Sequence, residues 1–181
     1  KNEFAVSVLG RKVRFDYAYI VQPGAPGESG QMEGYLEMLG IPFSTCSSQV
    51  SAVAFDKFSC KCQVRDFNVV NCAPDAYIRK GADLEQFCRK VNSSLRYPVF
   101  VKPTQAGSSF GVTRVTDPSA LASSITYAFS ECPGVLVEQS VSGRELTCAA
   151  YFDGSKVVAL PLIEIVTENE YFDYDAKYNG H

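Results

Sequence analysis

Residues 97–112 read YPVFVKPTQAGSSFGV, an apolar run that closes on a lysine and continues into a loop of small residues. The run at 99–102 predicts a strand. In the loop, Gly107 and Gly111 allow backbone N–H groups to approach an anion closely, and Lys102 supplies a positive charge. The stretch therefore favours a phosphate-binding loop between two strands. The order of glycines and lysine that defines a Walker loop is absent, which weakens the interpretation as a nucleotide-binding motif. The alternative is a flexible hairpin beside a solvated lysine.

Strands and helices alternate on both sides of this loop. The predicted elements are a short strand at 77–78, a helix at 82–91, a strand at 112–115, a helix at 118–130 and a strand at 135–138. Further along, Asp153-Gly154-Ser155 separates apolar segments at 145–152 and 156–166, which predicts a hairpin. The order is typical of a mixed α/β architecture.

The first third of the chain carries its own signals. Its predicted elements are a hairpin at 4–8 and 13–15, a strand at 17–21, and a helix that follows a Gly/Pro-rich turn at 23–30. Gly40 ends that helix. Residues 47–67 carry apolar side chains at helical spacing behind Ser47 or Ser48, so one continuous helix is predicted there.

The composition predicts a folded protein and indicates which classes of binding partner are not expected. The chain has 181 residues, of which 46% are hydrophobic and 12% aromatic, enough for a sizeable core. A net charge of -3 gives no electrostatic reason to expect nucleic acid or an anionic membrane as a partner. No apolar stretch reaches the roughly 18 residues of a membrane span, and no signal peptide is evident. We expect a cytoplasmic location.

Seven scattered cysteines, an odd number, argue against a closed disulfide framework. We expect them to be reduced and mostly buried. Cys60 and Cys62 form the one close pair, and the single histidine, His181, lies far away in sequence. Because structural zinc needs four ligands, no zinc site is predicted.

A second chemical signal lies about 30 residues after the glycine loop. Glu138-Gln139-Ser140-Val141 closes a predicted strand, and Glu145 opens the next one. An adenosine site needs backbone groups in an extended segment and a carboxylate for the ribose hydroxyls. The alternative is that both glutamates are ordinary solvent-facing strand residues. If the adenosine interpretation holds, we expect this segment and the glycine loop to face each other across one nucleotide.

Several segments, in order and spacing, resemble the D-alanine–D-alanine ligases of the ATP-grasp superfamily. The matching segments are 26–30, Asp56-Lys57, 97–103, 107–112, 137–147 and 172–178. The resemblance implies an α/β and α+β fold, a partial ATP-grasp architecture. It divides the chain into the remainder of an N-terminal α/β domain (1–45), a central ATP-grasp subdomain (46–137) and the beginning of a C-terminal ATP-grasp subdomain (138–181).

The resemblance also implies an activity. ATP phosphorylates the carboxylate of one D-alanine, and the amine of a second D-alanine attacks the acyl phosphate to give D-alanyl-D-alanine for peptidoglycan. The implied residues near the substrate are Glu28, Ser108 and Tyr178. Those implied to bind the nucleotide are Lys57, Lys102, Ser109, Glu138, Gln139, Val141, Glu145 and Lys177. Magnesium or manganese is the implied metal, with its ligands expected in the part of the family sequence beyond His181.

The chain departs from the family pattern in two places. Pro23 stands where the family has a histidine, and Gln139 where a lysine is frequent. Because the family's catalytic arginine and metal ligands have no counterpart here, we expect this polypeptide alone not to make the dipeptide. Two alternatives stay open, another ATP-grasp ligase of the D-alanine–D-lactate type and a degenerate nucleotide-binding module. The resemblance further implies a homodimer.

Overall fold

The fold is a mixed α/β arrangement built around one antiparallel sheet. The computed structural model describes residues 4–166. Along the chain the elements are β1 (Ala5–Val8), β2 (Arg11–Arg14), α1 (Gln31–Leu39), α2 (Ser48–Phe55), α3 (Lys57–Phe67), β3 (Asp75–Arg79), α4 (Leu84–Ser94), β4 (Val99–Pro103), β5 (Thr113–Val115), a 3-10 turn (Pro118–Ala120), α5 (Leu121–Ala128), β6 (Gly134–Gln139), β7 (Glu145–Thr147), β8 (Ala150–Phe152), β9 (Val157–Ala159) and β10 (Ile163–Ile165). None of the helices within residues 4–166 combines the length and apolar character that a bilayer-crossing helix needs.

The central sheet has the strand order β3-β6-β4-β5, with every pair antiparallel. Side chains alternate between its two faces, so β4 and β6 each send valines to one side. That side packs against α4 and α5 and forms the main core. Its fully buried members are Val91, Val99, Val101, Leu121, Ile125, Ala128, Val135 and Val137.

The opposite face of the sheet is more polar and faces α3. The ring of Phe58 on α3 stacks on Tyr77 of β3, with ring centroids 4.3 Å apart. The register pairs Glu138 with Asp75 on one side and with Phe100 on the other. These three side chains therefore form a row across the sheet beneath α3.

Residues 47–67 form two helices rather than the continuous helix predicted from apolar spacing. Asp56 has extended backbone angles, φ -87° and ψ 107°, and its carboxylate accepts a hydrogen bond from the Ser59 N–H at 2.8 Å. It therefore caps α3 and breaks the run. The predicted N-cap of the first helix is confirmed at Ser47, whose hydroxyl accepts from the Val50 N–H at 3.4 Å.

The first forty residues contain one confirmed hairpin and one wrong strand. β1 pairs with β2 as predicted, and Gly40 ends α1 at φ 69°. The predicted strand at 17–21 is reduced to a single parallel bridge between Ala18 and Phe43. Its apolar side chains suit a strand, but within residues 4–166 this bridge is the one strand-type pairing that the segment makes.

The last described segment forms two short antiparallel ladders. β8 pairs with β9 around Asp153-Gly154-Ser155, which confirms the predicted hairpin. β7 pairs with β10 farther from the turn.

The burial of the cysteines differs from the expectation. All seven are free, but none is buried: Cys46, Cys62 and Cys148 are exposed and the other four are partly exposed. Most sit on α3 or in connecting segments rather than in the valine-rich core.

Replacing Asp56 with alanine should destabilise the chain by about 1 kcal/mol, because α3 loses the side chain that caps its N-terminus. The matched control is Gln63→Ala, which changes an exposed residue inside the same helix. Urea unfolding followed by circular dichroism measures both. Equal stability of the two variants would contradict the assigned cap.

Candidate functional site

The Glu138 carboxylate lies between two lysines. Its Oε2 is 2.5 Å from Lys102 Nζ, and its Oε1 is 2.5 Å from Lys61 Nζ. Lys102 comes from β4, the strand next to β6, and Lys61 comes from α3 above the sheet. The Glu138 side chain is only 13% exposed. The predicted strand lysine and the predicted adenine-segment glutamate are therefore in direct contact, diagonally across the neighbouring strands β4 and β6.

Lys61 is a site residue that sequence reasoning missed. Besides Glu138 it contacts the Ala73 carbonyl at 2.9 Å and the Asp75 carboxylate at 2.6 Å. Arg65, four residues further along α3, also pairs with Asp75. The available signal was the spacing of Lys57, Lys61 and Arg65, because residues four apart lie on one helix face. That face points toward the polar side of the sheet.

The charges of this cluster shift the pKa values of its members. Burial raises the pKa of the Glu138 carboxyl, but the charge and hydrogen bond of Lys102, together with those of Lys61, outweigh burial and hold the pKa below its ordinary value. Burial lowers the pKa of Lys57, and the positive charge of Lys102 lowers it further. Glu138 is thus held ionised, while Lys57 and Lys102 crowd positive charge at one end of the cluster.

The glycine loop is tied to the start of α3. The Lys57 ammonium donates to the Ala106 carbonyl at 2.6 Å, and the Lys57 backbone N–H donates to the Thr104 carbonyl at 2.9 Å. Ser108 and Ser109 have φ values of 52° and 60°, in the left-handed region that non-glycine residues rarely adopt. Such strained loop conformations are found where a loop must present its backbone to a ligand.

A cavity of about 400 Å³ opens between this loop and α1. Its lining includes Glu28, Glu33, Lys57 and Gly107. The Glu28 carboxylate accepts a hydrogen bond from the Gly24 N–H at 2.6 Å, so the backbone of the turn after Pro23 holds it. The structure therefore brings the predicted Glu28, Lys57 and the loop that carries Ser108 to one cavity.

Glu33 lies in α1 and is completely buried. Thr45 and Ser51 donate to its Oε1 at 3.1 and 3.4 Å. Among the described residues, no hydrogen-bond partner is found for its Oε2. The lining of the cavity thus contains a second carboxylate beside Glu28, and helical periodicity offered no signal for it, because a glutamate in α1 suits a solvated face equally well.

The other predicted nucleotide residues lie beyond the ion-pair cluster. The side-chain oxygen of Gln139 accepts a hydrogen bond from the Arg96 backbone N–H at 3.0 Å, and the Gln139 backbone N–H donates to the Pro74 carbonyl at 2.9 Å. Val141 is 71% exposed, and Glu145 is exposed on β7. Gln139 is linked to the cluster as the residue that follows Glu138 in β6. Val141 lies in the segment between β6 and β7, and Glu145 is the first residue of β7. Lys177 and Tyr178 lie outside the described residues.

The described residues do not fit the implied magnesium or manganese. Within 4–166, no group of three or more histidine, cysteine, aspartate or glutamate side chains could hold a metal ion. Three of the carboxylates near the site are engaged elsewhere, Glu138 and Asp75 with cations and Glu28 with the Gly24 N–H. Glu33 adds one further carboxylate to the cavity lining, fewer than a metal site of three such side chains needs. No step of the chemistry is therefore assigned to a metal on these residues.

Gly111→Ala should destabilise the glycine loop, whereas Gly107→Ala should not. Gly111 has φ 68°, and an added Cβ would lie 2.6 Å from Pro103 Cγ and 2.8 Å from Glu131 Cγ. The left-handed backbone alone costs roughly 1–2 kcal/mol for an L-residue. A Cβ at Gly107 meets nothing within 4 Å. Denaturant midpoints compare the two, and equal losses would show that the loop is not wound as described.

Glu138→Gln should lower stability by about 2 kcal/mol at pH 7, because two partly buried lysines lose their shared carboxylate. The pKa of Glu138 is lower in the folded chain than its ordinary value of 4.5. Its stabilising effect is therefore complete above that pH and is lost as the pH falls through the folded-state pKa. The difference between wild type and variant should shrink in acid.

Urea unfolding at pH 7 and at pH values below 4.5 measures this difference. The control is Glu164→Gln, whose carboxylate lies 3.8 Å from Arg144 on an exposed strand and should contribute little at either pH. A wild-type advantage over Glu138→Gln that persists unchanged in acid would contradict the assigned ion pairs.

Comparison with known proteins gives a consistent result. A family model described as the D-ala D-ala ligase C-terminus matches residues 63–181. The D-alanine–D-alanine ligase of Parabacteroides distasonis is 43% identical over 180 residues, covering 99% of this chain and 54% of the relative. The corresponding enzyme of Bacteroides thetaiotaomicron is 42% identical over 180 residues, with 99% and 55% covered.

Two solved structures resemble the fold closely. D-alanyl-alanine synthetase A from Vibrio cholerae has a TM-score of 0.83 at 27% identity, covering 93% of this chain and 51% of that one. The VanG D-Ala:D-Ser ligase from Enterococcus faecalis has a TM-score of 0.82 at 28% identity, covering 96% and 53%. The chain thus spans about half the length of the proteins it matches.

Proposed function

The chain belongs to the D-alanine–D-alanine ligase family, and from that premise we propose that it forms the ATP-binding part of an enzyme that joins two D-alanine molecules. The observation that carries the proposal is the contact between Lys102 and Glu138 beside the glycine loop. Because the chain spans about half of its relatives, dipeptide formation is proposed for the whole protein rather than for these 181 residues alone.

Lys57 and Lys102 are proposed to bind the phosphates of ATP. Both come from elements that meet at the glycine loop, and the charge of Lys102 is felt at Lys57. Two like charges held near each other are favourable sites for a polyphosphate, which relieves their repulsion. The backbone N–H groups of the loop around Gly107 and Ser109 add neutral donors.

The adenine and ribose are proposed to lie beyond the open end of β6. Glu138, Gln139 and Val141 would line the base, and Glu145 would accept from the ribose hydroxyls. The support is positional, since β6 ends at Gln139 and the exposed Val141 leads directly to Glu145 on β7. Extended backbone followed by a carboxylate is the pattern that an adenosine site requires.

D-alanine is proposed to occupy the cavity lined by Glu28 and Gly107. The cavity is large enough for a small amino acid, and Ser108 directly follows Gly107, which lines it. ATP would supply the phosphoryl group that activates the D-alanine carboxylate. The lysine charges would then offset the negative charge that develops during transfer.

A second candidate differs only in the second substrate. One structural neighbour, VanG, is described as a D-Ala:D-Ser ligase. Its TM-score of 0.82 is close to the 0.83 of the Vibrio cholerae protein. The nucleotide-binding residues proposed above serve both reactions.

We also propose three further properties that rest on the family. They are the division of the chain into 1–45, 46–137 and 138–181, a cytoplasmic location and a homodimer.

Lys102→Ala should weaken the binding of ADP to the chain at least about tenfold, because a charge-assisted contact with a phosphate is lost. The fold should survive, since Glu138 keeps Lys61 as its partner. Isothermal titration calorimetry with ADP and magnesium chloride measures the affinity. The matched control is Lys90→Ala, which removes an exposed lysine on α4.

Equal affinities for wild type, Lys102→Ala and Lys90→Ala would contradict the proposed phosphate site. An absence of ADP binding by wild type, with the chain folded by circular dichroism, would contradict the nucleotide-binding function itself.

A further inference from the structure

The two lysines that share Glu138 are held in different ways. Lys61 is 15% exposed and contacts three acceptors, Glu138, Asp75 and the Ala73 carbonyl. Lys102 is 29% exposed, donates to Glu138 and lies 5.5 Å above the ring of Phe100. Lys61 is therefore fixed between β3 and β6, whereas Lys102 has the freer ammonium group and stands beside the glycine loop.

We propose that Lys61 is a positioning residue for nucleotide binding. It keeps the charge of Glu138 compensated when Lys102 turns from Glu138 to a phosphate group. The inference rests on the nucleotide-binding function proposed above and adds to it a residue that does not itself contact the phosphates.

The Glu138 carboxylate needs a counter-ion at all times, because an unpaired buried charge is costly. Glu138 is 13% exposed, and a carboxylate so far from water is strongly destabilised when it loses its counter-ion. With Lys102 alone, phosphate binding would leave that charge uncompensated. With Lys61 on the other oxygen, one ion pair remains after Lys102 moves. The second lysine thus lowers the free energy needed to release the first.

The surrounding charges keep Lys61 in place during that exchange. Asp75 is 5% exposed and is shared by Lys61 and Arg65, so it stays neutralised throughout. Lys57 lies one turn before Lys61 on α3 and carries its own contact with the Ala106 carbonyl. Lys57 and Arg65 are each engaged by another acceptor, the Ala106 carbonyl and Asp75, so Lys61 is the cation of α3 that contacts Glu138 Oε1.

A purely structural ion pair makes a different prediction from a positioning residue. If Lys61 only joined α3 to the sheet, its loss would lower stability and leave the preference for phosphate-bearing ligands unchanged. If it frees Lys102, its loss should weaken ADP binding much more than adenosine binding, since adenosine carries no phosphate. The ratio of the two affinities separates the two roles.

The experiment measures the affinities of the whole chain for ADP and for adenosine by calorimetry. In Lys61→Met the preference for ADP over adenosine should fall about tenfold, because Lys102 is now the sole counter-ion of Glu138. Lys61→Arg should restore most of the preference, since it keeps the charge. Lys61→Gln serves in the same way as Lys61→Met if circular dichroism shows that the methionine variant does not fold.

A double variant tests the route through Glu138. Adding Glu138→Gln to Lys61→Met removes the carboxylate that retains Lys102, so the preference for ADP should return to that of Glu138→Gln alone. A preference that stays low in the double variant would overturn the proposal, because Lys61 would then act on the phosphates by another route.

The remaining outcomes separate this inference from the function on which it rests. A wild-type chain that prefers ADP, together with Lys61→Met or Lys61→Gln that prefers it equally, overturns the role of Lys61 alone. A folded wild-type chain that binds neither ligand overturns the nucleotide-binding function and the inference together.

Discussion

The carboxylate of Glu138 joins three parts of the molecule through a single pair of oxygens. One oxygen contacts Lys102 on the neighbouring strand, and the other contacts Lys61 on α3. Its low exposure makes these contacts obligatory, because an unpaired charge at that depth is costly. The position of α3 over the polar face of the sheet, and with it that of Lys57 beside the glycine loop, depends on this arrangement.

Much of the central architecture could be predicted from the sequence, because its signals are local and strong. The valine-rich runs of β4 and β6, the proline that precedes α5 and the turn at Asp153-Gly154-Ser155 each appear as expected. The partial ATP-grasp architecture implied by the family resemblance is confirmed by the two structural neighbours. Lys102 and Glu138 could each be singled out as candidate site residues, but the sequence predicted a nucleotide between their segments and not the direct contact that the structure shows.

The rest depended on contacts that no local pattern encodes. Apolar spacing continues through Asp56, and only its bond to the Ser59 N–H shows that a new helix begins there. The four-residue spacing of Lys57, Lys61 and Arg65 marks one helix face, but it does not show what that face contacts. The acceptors of Lys61 come from distant parts of the chain, namely the Ala73 carbonyl, Asp75 of β3 and Glu138 of β6. Glu33 is buried by Thr45 and Ser51, which reach it from the following loop and helix. The strand expected at 17–21 had the right side chains, yet its strand-type pairing within the described residues is limited to the bridge between Ala18 and Phe43.

In the proposed function, the glycine loop and the end of β6 contact the same nucleotide. Amide chemical-shift mapping of the isotopically labelled chain during titration with ADP tests it directly. If one nucleotide bridges both segments, the amide signals of Ala106, Gly107, Gln139 and Val141 should shift and saturate together, with the β1–β2 hairpin unaffected. Saturable shifts confined to only one of the two segments, or located on the hairpin, would contradict it.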